Sequence, residues 1–456
     1  PGIALPVINQ EFGQRGGRIR DGLPVLAPPA GLTPAQLRQP APFSTASIHV
    51  VDPSLRSAKT NMWGLSIQRE LAWKTVLELN YIGRRGVGLL GAYNINQAEI
   101  FQNGFLEAFR IVQAGGESDL INRLLEKDSR RRTGETGSQM LRRLFASTLN
   151  LNSVAALAAS LATRTEAGQP LVVASGFSPF FFFPFPQFSG GLVVLDSNDF
   201  STYHAFEAQI ARQLSRGLSF QFSYTFAKSL DTRSFDPTFT TAAGGTAQSA
   251  SSTPFDLRNR RLNYARSDFD RRHSFQGYWT WDLPFGLGQR WGSNWHPVLN
   301  HIAGGWQVAG IVRWHSGRPF TVYSGANTLS NVVSSPADCN GCTPDMGRLI
   351  MEAGTYYYFD AQQRGLFSIP APGRLGNTGR NFFTGPSLFN LDLTIGKQFR
   401  VTERQNLQFR LEIQNATNTP SFGFPTAVVT STVFGRVRDS VVSSSRKMQL
   451  ALKYNF

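Results

Sequence analysis

The 456-residue sequence predicts an all-β fold, a transmembrane antiparallel β-barrel with a partly helical extracellular insertion. Two features of the sequence predict this fold. Segments of about ten residues alternate apolar and polar side chains, so an extended backbone places the two kinds on opposite faces. The connections between these segments alternate between long and short, as in membrane barrels, which have short turns at one end and long loops at the other. A soluble β-sandwich has no reason to place every long loop at one end.

Composition narrows the classes of protein. The 43 glycines and 36 phenylalanines suit turns and aromatic strand faces, and two cysteines are too few for a disulfide framework. The formal charge of +15 could indicate nucleic-acid binding, but the 45 lysines and arginines are scattered rather than concentrated in an arm or a helix. We therefore expect a solvated basic surface and no nucleic-acid partner. No run of about 18 apolar residues is present, which excludes a transmembrane helix but not a barrel strand.

Residues 1–58 are rich in proline and glycine and show no sustained period, which predicts a loop region. The barrel portion is predicted over residues 59–456. Alternation begins at Thr60, passes a tight connection at residues 70–72 and ends its second run at Tyr81, which indicates a β-hairpin. The chain begins with a proline and shows no signal peptide, so we expect it to be a fragment whose amino-terminal part is missing.

Residues 96–190 are predicted to be a long extracellular loop inserted into the barrel portion. Leucines at roughly helical spacing within residues 120–132 and 139–163 predict short helices in this insertion. The insertion ends in residues 177–188, where three prolines interrupt a run of phenylalanines. Proline disfavours a regular strand or helix in this piece.

Strand alternation then returns and continues to the end of the chain. The clearest run alternates Phe220, Phe222 and Tyr224 with Gln221 and Ser223. With the hairpin, the runs give about nine strands that can cross a bilayer at a tilt. The other predicted strands are residues 203–214, 274–283, 306–314, 389–395, 407–414 and 447–456. The predicted long connections are residues 83–201, 231–270, 317–386 and 415–446, the short ones residues 70–72, 215–217 and 401–405, and residues 284–301 are intermediate. Aromatic residues near strand ends are expected in interfacial girdles, namely Trp73, Tyr81, Trp279, Trp281, Trp306, Trp314 and Tyr454.

The last strand has an apolar face that ends on an aromatic carboxy-terminal residue. This ending resembles the terminal strand of bacterial outer-membrane barrels, which the barrel-assembly machinery reads as an insertion signal. The resemblance assigns this assembly signal to Gln449, Ala451, Tyr454 and Phe456. Ala451 stands where the family usually has glycine. The implied partners are the barrel-assembly machinery and outer-membrane lipid, and the implied location is the cell outer membrane.

Three stretches, residues 61–97, 203–231 and 388–456, are similar to the carboxy-terminal barrel half of TonB-dependent outer-membrane receptors. They include Trp-Gly-Leu-Ser-Ile-Gln-Arg-Glu-Leu from Trp63 and Asn-Ile-Asn-Gln from Asn94. The nearest subgroup is the Oar-like receptors, which carry a carboxypeptidase-regulatory-like domain. The resemblance implies a barrel of about 22 strands around a plug. It also implies energy-dependent uptake, with the TonB complex bound through a missing amino-terminal part, because no segment of this sequence matches the plug or the TonB-contacting region.

Residues that could carry chemistry form no recognisable site. No pair of histidines has metal-ligand spacing, and no serine has the spacing that singles out a nucleophile, so we expect neither an enzyme nor a cofactor. Cys339 and Cys342 could begin a zinc site, but a second ligand pair is missing, and a small disulfide in an oxidising loop is the favoured alternative. The histidines are His49, His204, His273, His296, His301 and His315.

Two functions from different classes agree with the predicted barrel. One is a receptor and transporter that takes up a ligand across the outer membrane. The other is a surface-binding or adhesive barrel without transport. The extracellular ligand is unknown, and aromatic loop residues suit either a glycan or a hydrophobic peptide, although packing between the loops explains them equally well.

Overall fold

The computed structural model describes residues 47–234, 253–400, 402, 404–437 and 445–456. Most of the region predicted as a loop, residues 1–46, lies outside this part of the chain. So do residues 235–252 of the predicted polar loop, residues 401 and 403 of a predicted short turn, and residues 438–444. The architecture below concerns the described residues alone.

A single large sheet contains all the long strands. Eleven strands belong to it, including the two-residue strand Ala265–Arg266. The ten others are β1 (Ser47–Val51), β2 (Lys59–Leu71), β3 (Thr75–Asn94), β4 (Gly191–Ser215), β5 (Leu218–Asp231), β6 (His273–Asp282), β7 (Trp306–His315), β8 (Leu388–Arg400), β9 (Asn406–Gln414) and β10 (Lys447–Asn455).

The strands β2 to β10 form a meander, in which each strand pairs antiparallel with its neighbours along the chain. This order confirms the predicted antiparallel, all-β class. Within the described residues β2 and β10 are the two edges of the sheet, and they do not pair with each other. The sheet is therefore open.

Strand register brings the apolar residues of successive strands onto one face. Residues directly opposite each other in neighbouring strands share a face. One row on the apolar face runs from β4 to β8 through Ile210, Phe222, Gly277, Val312 and Leu391. The adjacent row on the opposite face is Gln209, Ser223, Gln276, Arg313 and Asn390. One face thus suits lipid and the other water, as the alternation predicts.

Aromatic side chains form two bands on the apolar face. One band lies near the end of the sheet where β5 ends and β6 begins, which carries the long loops. There the Tyr224 hydroxyl and His273 Nδ1 are 2.8 Å apart, and the His273 ring lies 6.1 Å from that of Trp314. The other band lies near the opposite end, which carries the shorter connections, and there Trp306 contacts Phe409 across the sheet. His273 and Trp281 are eight residues apart in β6, which is about 26 Å along a strand and close to the height of a barrel's apolar band.

One predicted girdle residue lies between these bands. The Trp279 ring centroid is 6.2 Å from that of Phe222, and Phe222 lies in the middle of β5. Trp279 therefore packs within the apolar band, because it follows the same parity as Trp281 but lies two residues closer to the centre of the sheet.

The strands β3 and β4 extend further than the alternation predicts. β3 has 20 residues and β4 has 25, so the connection between them spans residues 95–190 rather than 83–201. Register shifts occur at Val87, Leu89 and Gly91, and Gly88 has a φ of 66°. These irregularities break the period of two while the backbone pairing continues, and this hides the extension from the sequence.

The region predicted as a loop contains a strand that pairs with the extension of β4. Within residues 1–58, β1 is a five-residue strand that pairs in parallel with the start of β4, from Gly191 to Leu195. The outer part of β4 therefore has a partner on each side, β1 and β3, although it lies beyond the length that a bilayer needs.

The insertion between β3 and β4 is helical, as predicted. A helix expected over residues 120–132 ends at Leu124, and turns follow it. Pro186–Phe188 forms one turn of 3₁₀ helix, which proline permits at its first position. The helices are α1 (Phe105–Gln113), α2 (Asp119–Leu124), α3 (Gly137–Leu144), α4 (Ala146–Asn150), α5 (Val154–Ala162) and α6 (Leu171–Ala174).

The remaining elements are short. Two further helices are α7 (Pro297–Ala303) and α8 (Ala361–Arg364), and Arg260–Asn263 is a 3₁₀ helix. Short strand pairs join Thr165–Glu166 to Gln169–Pro170, Pro319–Phe320 to Phe383–Thr384, Asp338–Cys339 to Phe367–Ser368, and Ile350–Glu352 to Thr355–Tyr357. Among the described residues, no helix has the length and apolar character needed to cross a membrane.

Candidate functional site

The candidate functional site is the assembly of long loops at one end of the sheet. Because β2 to β10 form a meander, alternate connections leave from the same end. The loop end carries residues 95–190, 232–272, 316–387 and 415–446. The other end carries residues 72–74, 216–217, 283–305 and 401–405. Each connection falls on the end that the sequence predicts for it.

The helical insertion has a hydrophobic core of its own. Phe105, Phe109, Leu124 and Leu141 are fully buried, and the rings of Phe105 and Phe182 meet edge to face with 4.9 Å between their centroids. Burying each such side chain stabilises the fold by about 1.5–3 kcal/mol. The run of phenylalanines at the end of the insertion therefore completes this core.

A buried carboxylate fixes the loop between α2 and α3. The side chain of Asp128 has no exposure and accepts hydrogen bonds from Arg130, while Arg164 lies 3.3 Å from it. Burial acts to raise the pKa of Asp128, but the hydrogen bonds from Arg130 and the charges of Arg130 and Arg164 outweigh burial, and the pKa is lowered. Arg164 also pairs with Glu166. These charges hold the insertion together rather than facing outward as a free basic patch.

A second core fills the connection between β7 and β8. Phe359 and Phe383 are completely buried and pack against Phe320, Phe367 and Phe434. Phe434 comes from the connection after β9, so two loops share this core.

Tyr358 and the cysteine pair border this second core. The Tyr358 hydroxyl donates to the carbonyl of Thr384, and burial raises the pKa of Tyr358 to about 12. Cys339 and Cys342 form a disulfide with Cα atoms 5.7 Å apart, and Cys339 is buried beside the aromatic rings. A tight turn is thereby fixed to the core.

Hydrogen bonds of backbone and side-chain groups join the helical insertion to the loop between β7 and β8. The Ala155 N–H donates to the Asn327 carbonyl at 3.1 Å, and the Ala98 N–H donates to Asn331 Oδ1 at 3.0 Å. Arg110 donates to the carbonyl of Pro372 at 3.0 Å. The two loops therefore form one layer above the strands.

Arg380 ties this layer to the end of β5. Its guanidinium is fully buried and lies 2.8 Å from the carboxylate of Asp231 and 3.3 Å from that of Asp268. It also donates to the carbonyl of Asn263 at 3.0 Å. Removing one partner of such a buried pair leaves an uncompensated charge, which costs about 3–5 kcal/mol.

A second group of buried ion pairs lies on the extension of β4. Asp196 is 2.6 Å from Arg260, and Asp199 is 2.9 Å from Arg233. Sequence reasoning missed these residues and Arg380, since 64 positions separate Asp196 from Arg260 and no local pattern joins them. The one available signal was the presence of two aspartates in a run of strand-forming residues.

The predicted assembly-signal residues all belong to the carboxy-terminal end of the sheet. Gln449 and Ala451 pair with Glu412 and Arg410 on the polar face of β10. Tyr454 lies on the apolar face, and its ring stacks on that of Phe456, with 6.1 Å between centroids. The structure thus brings the two aromatic members together and places the two others on the opposite face.

The histidines do not converge. His204 and His273 each lie within hydrogen-bond distance of a tyrosine hydroxyl of a neighbouring strand, that of Tyr81 and that of Tyr224 respectively. In the part of the chain that the structure describes, no three His, Cys, Asp or Glu residues are grouped as a metal site would require.

Comparison with known proteins agrees with this architecture. The sequence profile of the family described as outer membrane beta barrel domain matches residues 7–449. A search of curated proteins gave no match.

Solved structures similar to this chain come from several bacteria. They include the outer membrane transporter YddB from Escherichia coli (8% identity, TM-score 0.36, 90% of this chain and 34% of that one). The pyoverdine outer membrane receptor FpvA from Pseudomonas aeruginosa PAO1 has 10% identity and a TM-score of 0.32, and the match covers 88% of this chain and 30% of that one. The FrpB iron transporter from Neisseria meningitidis has 8% identity and a TM-score of 0.31, and the match covers 90% of this chain and 33% of that one. The chain spans about a third of the length of these solved chains.

Proposed function

Because the chain belongs to the outer-membrane β-barrel domain family, we propose that it is the barrel portion of a receptor that takes up a ligand across the outer membrane. The chain lies in the cell outer membrane. Energy for uptake would come from the TonB complex, bound through an amino-terminal part, as the sequence resemblance implies. The Oar-like subgroup is the proposed relationship within that class.

The observation that carries this proposal is the folded layer of loops at the end of a sheet with one polar face. A polar face opposite a lipid-facing one suits the lining of a water-filled interior. On that face Gln209, Gln221 and Tyr278 form a chain of hydrogen bonds across β4, β5 and β6. A ligand that meets the loop layer would face this polar lining next.

The loop layer is suited to binding rather than to reaction. Its buried charges at Asp128, Asp196 and Arg380 each have an opposite charge within 3 Å. Paired charges of this kind fix loop geometry and leave no activated nucleophile or base. We therefore propose a receptor without enzymatic activity. Aromatic loop residues suit a glycan or a hydrophobic peptide as the ligand.

Retention on TonB tests the proposal against its alternative. The full gene product, solubilised from outer membranes in detergent, is passed over the immobilised periplasmic domain of TonB, with a trimeric porin as the control. A TonB-dependent receptor is retained, and the porin is not. A surface-binding or adhesive barrel without transport elutes with the porin, and that result would replace the transport proposal.

A further inference from the structure

A small cavity lies at the outer rim of the barrel, where β6, β7 and β8 meet the loop layer. Its volume is about 100 Å³. Arg271, just before β6, and Arg318, just after β7, line it together with His315, the last residue of β7. Ser421, from the connection after β9, also lines it. We call it the rim cavity.

The two arginines of the rim cavity lack a compensating carboxylate. The Arg318 guanidinium lies over the Phe424 ring, 5.1 Å from its centroid. Neither arginine makes an ion pair with any carboxylate of the described residues. Burial and the nearby charge of Arg318 lower the pKa of Arg271, as expected where positive charge accumulates.

This arrangement differs from that of three more deeply placed arginines at the same end of the sheet. Arg233, Arg260 and Arg380 each contact at least one carboxylate within 3 Å. Arg271 is partly buried and Arg318 is exposed, and none of the described carboxylates neutralises the positive charge that these two guanidinium groups bring to the rim cavity.

A third donor group has no partner. Ser421 is 2% exposed, and its hydroxyl is buried without a hydrogen bond to any described residue. A buried hydroxyl left unsatisfied destabilises a protein, so such groups call for an explanation. A bound acceptor in the rim cavity supplies one.

We propose that the rim cavity binds a phosphoryl group. Arginine presents a planar fork of N–H donors that matches the oxygens of a phosphate, and a serine hydroxyl adds a donor from another direction. Three donor groups from three separate connections suit a tetrahedral oxyanion better than a planar carboxylate. The proposal goes beyond ligand uptake, and it holds whether or not the barrel transports what it binds.

The phosphoryl group could belong to a soluble solute or to a lipid headgroup. His315 and Leu388, which both line the rim cavity, are register partners on the polar face of the sheet. The lipid-facing side carries their neighbours Trp314 and Phe389. This placement favours a soluble phosphate ester.

Calorimetric titration with glycerol 3-phosphate tests the site. The full gene product is reconstituted in phosphatidylcholine nanodiscs and compared with the variants Arg271→Gln, Arg318→Gln and Ser421→Ala. We expect each arginine variant to bind about tenfold more weakly, since each removes one charge-assisted contact. Ser421→Ala weakens binding several-fold without loss of heat stability, because it removes a hydroxyl that has no partner in the fold.

Two controls make the result decisive. Arg374→Gln removes the same charge from an exposed loop position outside the rim cavity and should leave the affinity unchanged. Phosphatidic acid in the nanodiscs abolishes the titration if a lipid headgroup is the occupant and leaves it intact if a solute is. The proposal is overturned if wild-type protein in phosphatidylcholine gives no binding, or if both cavity arginine variants bind like Arg374→Gln.

Discussion

At the scale of single residues, three glycines on the apolar face lie directly beneath an aromatic ring of the preceding strand. Gly83 faces Trp63, Gly277 faces Phe222 and Gly310 faces Trp279. A Cβ atom on any of these glycines would come within 2.1–2.3 Å of the ring that covers it. The rings thus occupy the space left by the missing side chains, which stiffens strands that glycine would otherwise weaken.

We expect Gly277→Ala to destabilise the barrel. The new Cβ would lie 2.1 Å from Phe222 Cδ1 and 3.0 Å from the Gln221 carbonyl oxygen, so the ring must leave its place against Phe275. Overpacking of this kind costs about 1–3 kcal/mol. Urea unfolding of the detergent-folded full gene product measures it.

Gly396→Ala is the matched control, because its Cβ would meet the Phe409 carbonyl at an ordinary 3.7 Å. It should unfold like the wild type within about 0.5 kcal/mol. Equal free energies of unfolding for the two alanine variants would show that the Phe222 ring can keep its position without a glycine at position 277.

A second prediction contrasts neighbouring residues on the two faces. Phe222 lies in the apolar row between Ile210 and Gly277, whereas Gln221 donates to Gln209 on the polar face. An arginine at position 222 should therefore cost about 2–4 kcal/mol in unfolding experiments from lipid, and one at position 221 should be nearly neutral. Equal penalties at the two positions would contradict the assignment of one face to lipid.

At the scale of elements, regular strands were predictable and their outer extensions were not. The period of two fixes which face each residue of β5 takes, and the register keeps the apolar rows aligned across the regular parts of the strands. In the outer parts of these strands, glycines on β3 and ion-paired aspartates on β4 replace that period, so only the backbone pairing between β3 and β4 reveals the extension.

The sequence predicts that the insertion contains helices, but it does not predict how the loops of the layer pack against each other. Leucine spacing indicates the helices of the insertion, because each has a buried side. The contacts that join the insertion to the loop between β7 and β8, such as Arg110 to Pro372, cross 262 positions. No local pattern encodes such a contact, and the same holds for the arginines of the rim cavity.

Labelling of introduced cysteines tests which end of the sheet faces the outside. Glu107→Cys, on α1 where the side chain is 70% exposed, should react with a membrane-impermeant maleimide on intact cells. Arg216→Cys, in the two-residue turn between β4 and β5, should react only after the outer membrane is permeabilised. The reverse pattern would invert the topology.

The loop disulfide makes a separate prediction. Cys339 and Cys342 should resist alkylation on whole cells until a reductant is added, because the cell surface is oxidising. Mass spectrometry of the peptide containing both residues would show that the disulfide form is lighter than the dithiol form by two hydrogen atoms. Immediate labelling of both thiols would mean that the bond is absent in the cell.

At the scale of the whole molecule, the direction of the edge strands decides whether this sheet can close on itself. Eight reversals separate β2 from β10 in the meander, so the two strands run in the same direction. Closing the sheet would require them to pair in parallel. Bacterial single-chain barrels have even strand numbers, which keep every pair antiparallel. An antiparallel barrel therefore needs at least one more strand between these two edges.

The open edges lead to the last prediction. One side of β2 and one side of β10 carry backbone N–H and C=O groups with no strand partner among the described residues. Lipid offers such groups no hydrogen bond, and each unsatisfied group costs several kcal/mol. We therefore expect the 456-residue polypeptide, expressed alone, to give no heat-modifiable, protease-resistant species in outer membranes, whereas the full gene product gives one. Deleting Phe456 from the full gene product should slow its insertion, since the exposed ring stacked on Tyr454 belongs to the proposed assembly signal. Stable insertion of the isolated polypeptide, with ion conductance in planar bilayers, would mean that these 456 residues close a small barrel by themselves.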